Sequence, residues 1–131
     1  MKIYRFNPLQ LSFALLVTLS LSGCRPLSET GTAGLYVRNL LGVTDSINLE
    51  TNGFFVQKVV FTNGAAWSCS GSWTLINRVA QLDKCYLSFD DERESIIIPP
   101  QTVYSCAFTV DGRELVRTKL QPPWIKVGVT K

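Results

Sequence analysis

The sequence predicts an all-β domain, a small antiparallel up-and-down barrel of eight strands. From Gly34 onward it breaks into short runs rich in Val, Ile, Phe, Tyr, Trp and Thr, separated by turn residues about every eight to twelve positions. Three joins, Asn52-Gly53, Asn63-Gly64 and Asp111-Gly112, are dipeptides that accept the positive φ of tight hairpin turns. Successive strands are therefore expected to pair antiparallel.

Eight runs are predicted as strands, and no run has the periodicity of an amphipathic helix. The predicted strands are Leu35–Leu41, Ser46–Thr51, Phe54–Thr62, Ala65–Ile76, Val79–Leu82, Cys85–Phe89, Thr102–Val110 and Glu114–Leu120. Strands with one apolar face must close on that face, as a barrel or as a two-sheet sandwich. A series of hairpins favours the barrel, and the sandwich is the alternative.

The fourth run shows the clearest alternation, because every second residue from Trp67 to Leu75 is apolar or glycine and the residues between are Ser or Thr. Trp67 and Trp73 lie on the apolar side and are expected to pack in the core. Gly71 stands between them, where a bend or a close approach of another backbone is expected.

The N-terminus has the pattern of a secretion signal. Lys2 and Arg5 precede an apolar run, Leu11 to Leu21, which is too short to span a bilayer as a helix. The run ends in Leu21-Ser22-Gly23-Cys24, which resembles the lipobox of bacterial lipoproteins. The resemblance implies cleavage after Gly23 and lipid modification of Cys24, a membrane anchor in the cell envelope. Arg25 stands where enteric bacteria use aspartate to retain a lipoprotein in the inner membrane, which favours the outer membrane, facing the periplasm.

Three segments follow from this interpretation. Residues 1–23 are the signal peptide, residues 24–33 a lipidated N-terminus and flexible tether, and residues 34–131 the barrel domain. Loss of Lys2 and Arg5 with the signal lowers the formal net charge from +3 to +1, because all ten acidic residues remain. A net charge this close to zero does not favour binding to nucleic acid.

Three cysteines remain besides the predicted anchor: Cys69, Cys85 and Cys106. Disulfides persist in exported proteins, so one pair is expected and the third thiol is either free or joined to another molecule. All three pairings are open, and Cys69 with Cys85 is favoured because they lie on successive predicted strands. The chain has no histidine and no CxxC, so neither a metal site nor a cofactor is predicted.

A longer pattern resembles small lipocalin-like lipoproteins, in which a strand, an Asx-Gly turn and an aromatic strand precede a Gly-x-Trp strand. It is carried by the stretches 45–55 and 70–75 and by the Asp-Gly hairpin at 111–112. The resemblance implies the barrel fold. The copper-linked members carry a CxxC motif that this chain lacks, and Ser70-Gly71-Ser72-Trp73 departs from the Ser-Gly-x-x-Tyr loop of lysozyme inhibitors, so neither role is carried over.

Without histidine, Ser-His-Asp and Cys-His catalysis are excluded, and the protein is not expected to be an enzyme. One acidic cluster, Asp90, Asp91, Glu92 and Glu94, is interpreted as a solvated loop. The functional alternatives are a cation site, an acid/base pair, or a partner contact through Asp90 and Asp91. Trp124 follows Pro122-Pro123 and is expected either to be presented on the surface or to plug the open end of the barrel. The run 96–98, before two prolines, is either a docking edge or buried.

The function predicted from these observations is that of a non-catalytic binding module. It would be tethered by lipid and would engage a protein partner in the envelope, for example as an inhibitor or immunity factor. The alternative is a lipocalin-type carrier of a small hydrophobic ligand or lipid, which requires an open cavity inside the barrel.

Overall fold

A computed structural model describes residues 27–90, 95–100 and 105–128, and eight of the strands in these ranges close into a barrel. A short helix precedes the strands, and the elements in chain order are α1 Glu29–Thr32, β1 Gly34–Leu40, β2 Val43–Leu49, β3 Phe54–Phe61, β4 Ala66–Ile76, β5 Val79–Asp83, β6 Leu87–Asp90, β7 Ser95–Ile98, β8 Ser105–Asp111, β9 Glu114–Val116 and β10 Trp124–Lys126.

The barrel is antiparallel throughout, in the order β1-β10-β9-β8-β5-β4-β3-β2. β6 and β7 pair only with each other and form a hairpin inserted between β5 and β8. The predicted fold, an all-β antiparallel barrel of eight strands, is therefore confirmed, with one hairpin added to the up-and-down order.

The identity of two barrel strands differs from the prediction. Lys84 adopts a positive φ of 59°, which turns the chain out of the barrel wall after β5, so the predicted strand at Cys85–Phe89 becomes β6. The predicted last strand ends early, as β9, and β10 takes the eighth place. β10 has only three residues, too few for an alternation to be recognised. Residues 102–104 of the predicted seventh strand lie outside the described residues.

The two ends of the barrel differ because β1 to β4 are longer than most of the strands opposite them. β4 pairs with β3 over residues 66–72 but with β5 only over residues 73–76, and β1 pairs with β10 only at Tyr36 and Val37. We call the end where β1 finishes and β4 begins the hairpin end, because the β6–β7 hairpin covers it. The opposite end, where β1 begins, is the helix end.

α1 closes the helix end. Ser28 caps it by accepting the Gly31 N–H at 3.0 Å, and Thr32 is 1% exposed. The Tyr36 hydroxyl donates to the Thr32 carbonyl at 2.6 Å, and Lys126 Nζ donates to the Gly31 carbonyl at 2.8 Å. Residues 29–32, which lie within the predicted tether segment 24–33, form a helix docked on the barrel.

Large side chains fill the barrel. Trp124, Tyr36, Phe55 and Phe108 are its largest fully buried side chains, and Phe108 meets Trp124 edge to face at 5.0 Å. Trp73 is also buried, as predicted, and its Nε1 donates to the Glu50 carbonyl at 2.8 Å. The same prediction is wrong for Trp67, which is 39% exposed, because it lies in the part of β4 that extends beyond β5.

The close approach predicted at Gly71 is confirmed. A Cβ at this position would lie 2.7 Å from the backbone oxygen of Asp83 and 3.0 Å from the ring of Phe55. The end of β5 thus passes against β4 with no room for a side chain.

We predict that Gly71→Ala lowers the free energy of unfolding by about 1–3 kcal/mol, because the methyl group must displace backbone rather than a flexible side chain. Chemical denaturation of the purified protein measures the change. Ser70→Ala, at the exposed neighbouring position, is the control and should change stability little. A Gly71→Ala variant as stable as this control would contradict the close contact.

Candidate functional site

The hairpin end is built around the segment that leads into β6. Tyr86 packs on Leu40, Val43 and Val59, and Ile97 of β7 lies against the same cluster. The hairpin therefore covers the inner surface of the strands that extend beyond the rest of the barrel. Beneath it lies a group of buried polar side chains, which we call the polar network: Arg38, Asp45, Gln57 and Ser88.

Asp45 stands at the centre of the polar network and is 0% exposed. Its Oδ1 accepts a hydrogen bond from Gln57 Nε2 at 2.9 Å, and its Oδ2 accepts one from Ser88 Oγ at 2.7 Å. Arg38 Nη2 lies 3.6 Å from the same Oδ2. Both carboxylate oxygens are thus supplied with donors, and one guanidinium opposes the charge.

Gln57 joins β3 to the segment before β6. Its Oε1 accepts the Tyr86 N–H at 2.7 Å, and its Nε2 donates to the Tyr86 carbonyl at 3.2 Å as well as to Asp45. A side-chain amide here takes the place of a neighbouring strand, because it satisfies both backbone groups of one buried residue. The hairpin is held at its base by this two-point contact.

Arg38 connects three parts of the chain. Its guanidinium donates to the Ser88 carbonyl at 3.2 Å, to Ser88 Oγ, and to the Pro122 carbonyl at 3.3 Å. Its Cζ lies 3.4 Å from the ring centroid of Trp124, a cation–π contact. β1, β6 and the segment before β10 therefore meet at one side chain, which is 2% exposed.

The polar network is enclosed. Asp45, Gln57 and Ser88 are 0% exposed, so in this conformation no substrate reaches the carboxylate or the hydroxyl. What the arrangement can do is hold the hairpin in one position, because displacing it would leave a buried ion pair without its hydrogen bonds.

The predicted disulfide between Cys69 and Cys85 is wrong. Cys85 is bonded to Cys106, with Cα atoms 6.0 Å apart, and Cys69 is the free cysteine. The pairing follows from the turn at Lys84, which carries Cys85 into the interior beside β8. Cys69 Sγ lies 3.7 Å from Gln57 Oε1, and burial raises the pKa of its thiol. The disulfide is a second link between the hairpin and the barrel wall.

Apolar side chains stand exposed at the hairpin end. Trp67 meets Phe61 edge to face at 5.2 Å and Tyr86 at 5.8 Å, and burial raises the pKa of the Tyr86 hydroxyl, which donates to the Ser68 carbonyl. We call four apolar residues of this end, each more than a third exposed, the end patch: Leu41 at 60%, Trp67 at 39%, Ile96 at 44% and Ile98 at 37%.

Of the predicted contact residues, the structure describes Trp124 and the backbone of Asp90. Trp124 is 1% exposed and belongs to the wall and core of the barrel, so it offers no surface to a partner. Asp90 is the last residue of β6 and pairs with Ser95. Asp91, together with Glu92 and Glu94, lies outside the described residues.

The polar network is not among the residues predicted from the sequence, although the alternation of β1 and β2 indicates two of its members. Along β2, Asp45 lies on the same face as the buried Ile47 and Leu49. Along β1, Arg38 lies on the same face as the buried Tyr36 and Leu40. A charged residue at an inward-facing position of a strand requires a buried partner. The alternation places these residues inside, but it does not identify the partner on β6.

The described part of the chain shows two small surface pockets and no cluster of metal ligands. Two surface pockets of about 160 and 190 Å³ are smaller than the roughly 300–1,000 Å³ of small-molecule sites. Within the described ranges, no three His, Cys, Asp or Glu side chains gather as metal ligands. In those ranges there is also no helix with the length and apolarity needed to cross a membrane.

Comparisons of the chain with protein-family models, with curated proteins and with solved structures yield no match.

We predict that Asp45→Asn lowers the free energy of unfolding by about 3 kcal/mol, because the Arg38 guanidinium then remains buried without an opposing charge. Asp111→Asn is the matched control. Asp111 lies 3.7 Å from Arg78, but both side chains are more than half exposed, so this change should cost less than about 1 kcal/mol. Equal effects of the two substitutions in chemical denaturation would show that the Asp45 pair is not a buried one.

For the cysteines, we expect non-reducing peptide mapping to recover a Cys85–Cys106 crosslink and a free Cys69. Cys106→Ala should lower stability by about 3 kcal/mol, because it opens the loop that the disulfide closes, whereas Cys69→Ala should cost clearly less. Because burial raises the Cys69 pKa, the folded protein should be alkylated more slowly than the denatured one at the same pH. Recovery of Cys69 in a crosslinked peptide would overturn this assignment.

Proposed function

We propose that the protein is a lipid-anchored lipoprotein of the bacterial cell envelope that acts as a non-catalytic binding module for a protein partner. The observation that carries the binding role is the end patch, a group of exposed apolar side chains on a rigid frame. The anchor is Cys24, and the location is the outer membrane, facing the periplasm.

The composition of the end patch supports contact with a protein. Exposed Trp and Ile side chains at one end of a small domain are typical of interaction surfaces, where aromatic residues supply much of the binding energy. Trp67 packs against Phe61 and Tyr86, so the orientation of its ring is fixed before any partner binds. A partner would bury this surface without first ordering it, which reduces the entropic cost of binding.

The frame beneath the end patch supports the same role. The polar network, through Gln57 and Arg38, and the disulfide at Cys85 each attach the hairpin to a different part of the barrel wall. Ile96 and Ile98 are thereby presented on a hairpin that would be marginally stable alone. A buried ion pair that fixes one arrangement of a surface element is consistent with a specific binding site.

The carrier alternative receives less support. A lipocalin-type carrier needs room for a ligand inside the barrel, and here the inward positions hold Trp73, Trp124, Phe55 and Phe108, all at most 3% exposed. These side chains use the volume that an eight-stranded barrel encloses.

We expect photo-crosslinking to locate the partner at the hairpin end. A photoreactive amino acid is placed at Trp67 or at Ile96 of the full-length protein in its native envelope. The matched control is Ile76, which is 53% exposed at the far end of β4. The proposal expects the same protein adduct from both test positions and none from the control. Equal adducts at all three positions, or no protein adduct at any, would contradict it.

A further inference from the structure

A second exposed apolar surface lies where β1 and β10 close the barrel. Val37 pairs with Ile125 in register, and one step further the Val127 N–H donates to the Leu35 carbonyl at 2.8 Å. We call these four residues the seam face. Leu35 is 40% exposed, Ile125 46% and Val127 54%, and Val37 is half-buried.

The alternation of β1 and β10 explains why the seam face is apolar on the outside of the barrel. Tyr36 and Trp124, which flank it in sequence, point inward and are buried, so Leu35 and Ile125 must point outward. Opposite side chains on paired antiparallel strands lie about 4.5–5.5 Å apart between Cβ atoms. The two cross-strand pairs therefore form one continuous apolar surface that the barrel itself does not cover.

The chain that precedes the described residues leads into α1, at the helix end of this surface. Cys24 is three residues before Leu27, and an extended chain spans at most about 3.3–3.6 Å per residue, so the Cys24 sulfur is tied within roughly 15 Å of Leu27. Leu27 is 37% exposed. α1 follows it directly and is held at the helix end by Tyr36 and Lys126, and Leu35 and Val127 lie at that same end.

We propose that, in the anchored protein, the seam face lies against the interface of the phospholipid bilayer that holds the Cys24 lipid. This inference rests on the proposed anchor and adds the orientation of the barrel. A lipid surface is the favoured occupant because the short tether brings it to the helix end whether or not any other partner is present. An apolar surface next to an anchor gains burial by meeting the bilayer.

Charged groups at the border are of both signs, so the contact is apolar rather than electrostatic. Arg113 donates to the Lys126 carbonyl at 2.7 Å and stands beside the seam face, while Glu114 pairs with Ile125 in register. The end patch lies at the other end of β1, so the seven residues of this strand separate it from α1. In this orientation the end patch is directed away from the anchor and open to a partner.

The test uses the full-length protein, purified with its lipid and reconstituted in vesicles of phosphatidylethanolamine and phosphatidylglycerol. A photoreactive amino acid replaces Leu35 or Ile125, and mass spectrometry detects phospholipid adducts. The control is Ile76 on β4, which lies across the barrel from the seam according to the strand order and has similar exposure. We expect lipid adducts at Leu35 and Ile125 and none above background at Ile76.

The outcomes separate this inference from the anchor on which it rests. Intact mass first establishes whether Cys24 carries lipid, and Cys24→Ala shows whether vesicle association depends on it. An unlipidated Cys24 overturns the anchor and the orientation together. Lipidated protein with equal adducts at all three positions overturns only the orientation. A protein adduct at Ile125 in native membranes, in place of lipid, also overturns it, because the seam face would then be a protein interface.

Discussion

The Asp45 carboxylate points into the barrel and has no contact with solvent, so its charge must be compensated by the protein itself. Three side chains from other strands surround it: Gln57 from β3, Ser88 from β6 and Arg38 from β1. Arg38 in turn stacks on Trp124 of β10. The contact with Ser88 joins β2 to β6, which no β-ladder connects, whereas β1 and β3 already pair with β2. The position of the β6–β7 hairpin, the closure of the hairpin end and the presentation of the end patch all depend on satisfying this one group.

Removing the polar network in favour of apolar side chains of similar volume could leave such a barrel equally stable, because desolvation offsets much of what an ion pair contributes. What the polar network adds is a defined position for the hairpin, because hydrogen bonds depend on direction. Apolar contacts between Tyr86 and Leu40 or Val43 tolerate small displacements, whereas the two hydrogen bonds between Gln57 and the Tyr86 backbone do not. A hairpin that must present Ile96 and Ile98 in a fixed place benefits from that difference.

The two ends of the barrel carry different chemistry for a related reason. At the helix end, α1 is fastened by Tyr36 and Lys126, which leaves little free chain before the predicted lipid site. At the hairpin end, the longer strands β1 to β4 expose an inner surface that the hairpin covers only in part, so Trp67 remains accessible. The two ends therefore differ in chemistry, and the seven-residue strand β1 separates them.

Local chemistry in the sequence determined the all-β class, the tight turns and the close approach at Gly71. Gly53, Gly64 and Gly112 do adopt positive φ, because a turn depends on neighbouring residues alone. The tertiary structure decided the rest: the Cys85–Cys106 bond, the exchange of β6 for β10 in the wall, the exposure of Trp67 and the partner of Asp45 on β6. Those depend on residues distant in sequence, 43 positions apart for Asp45 and Ser88 and 84 for Arg38 and Pro122. Alternation shows that a side chain points inward, but only the closed barrel brings its partner to it.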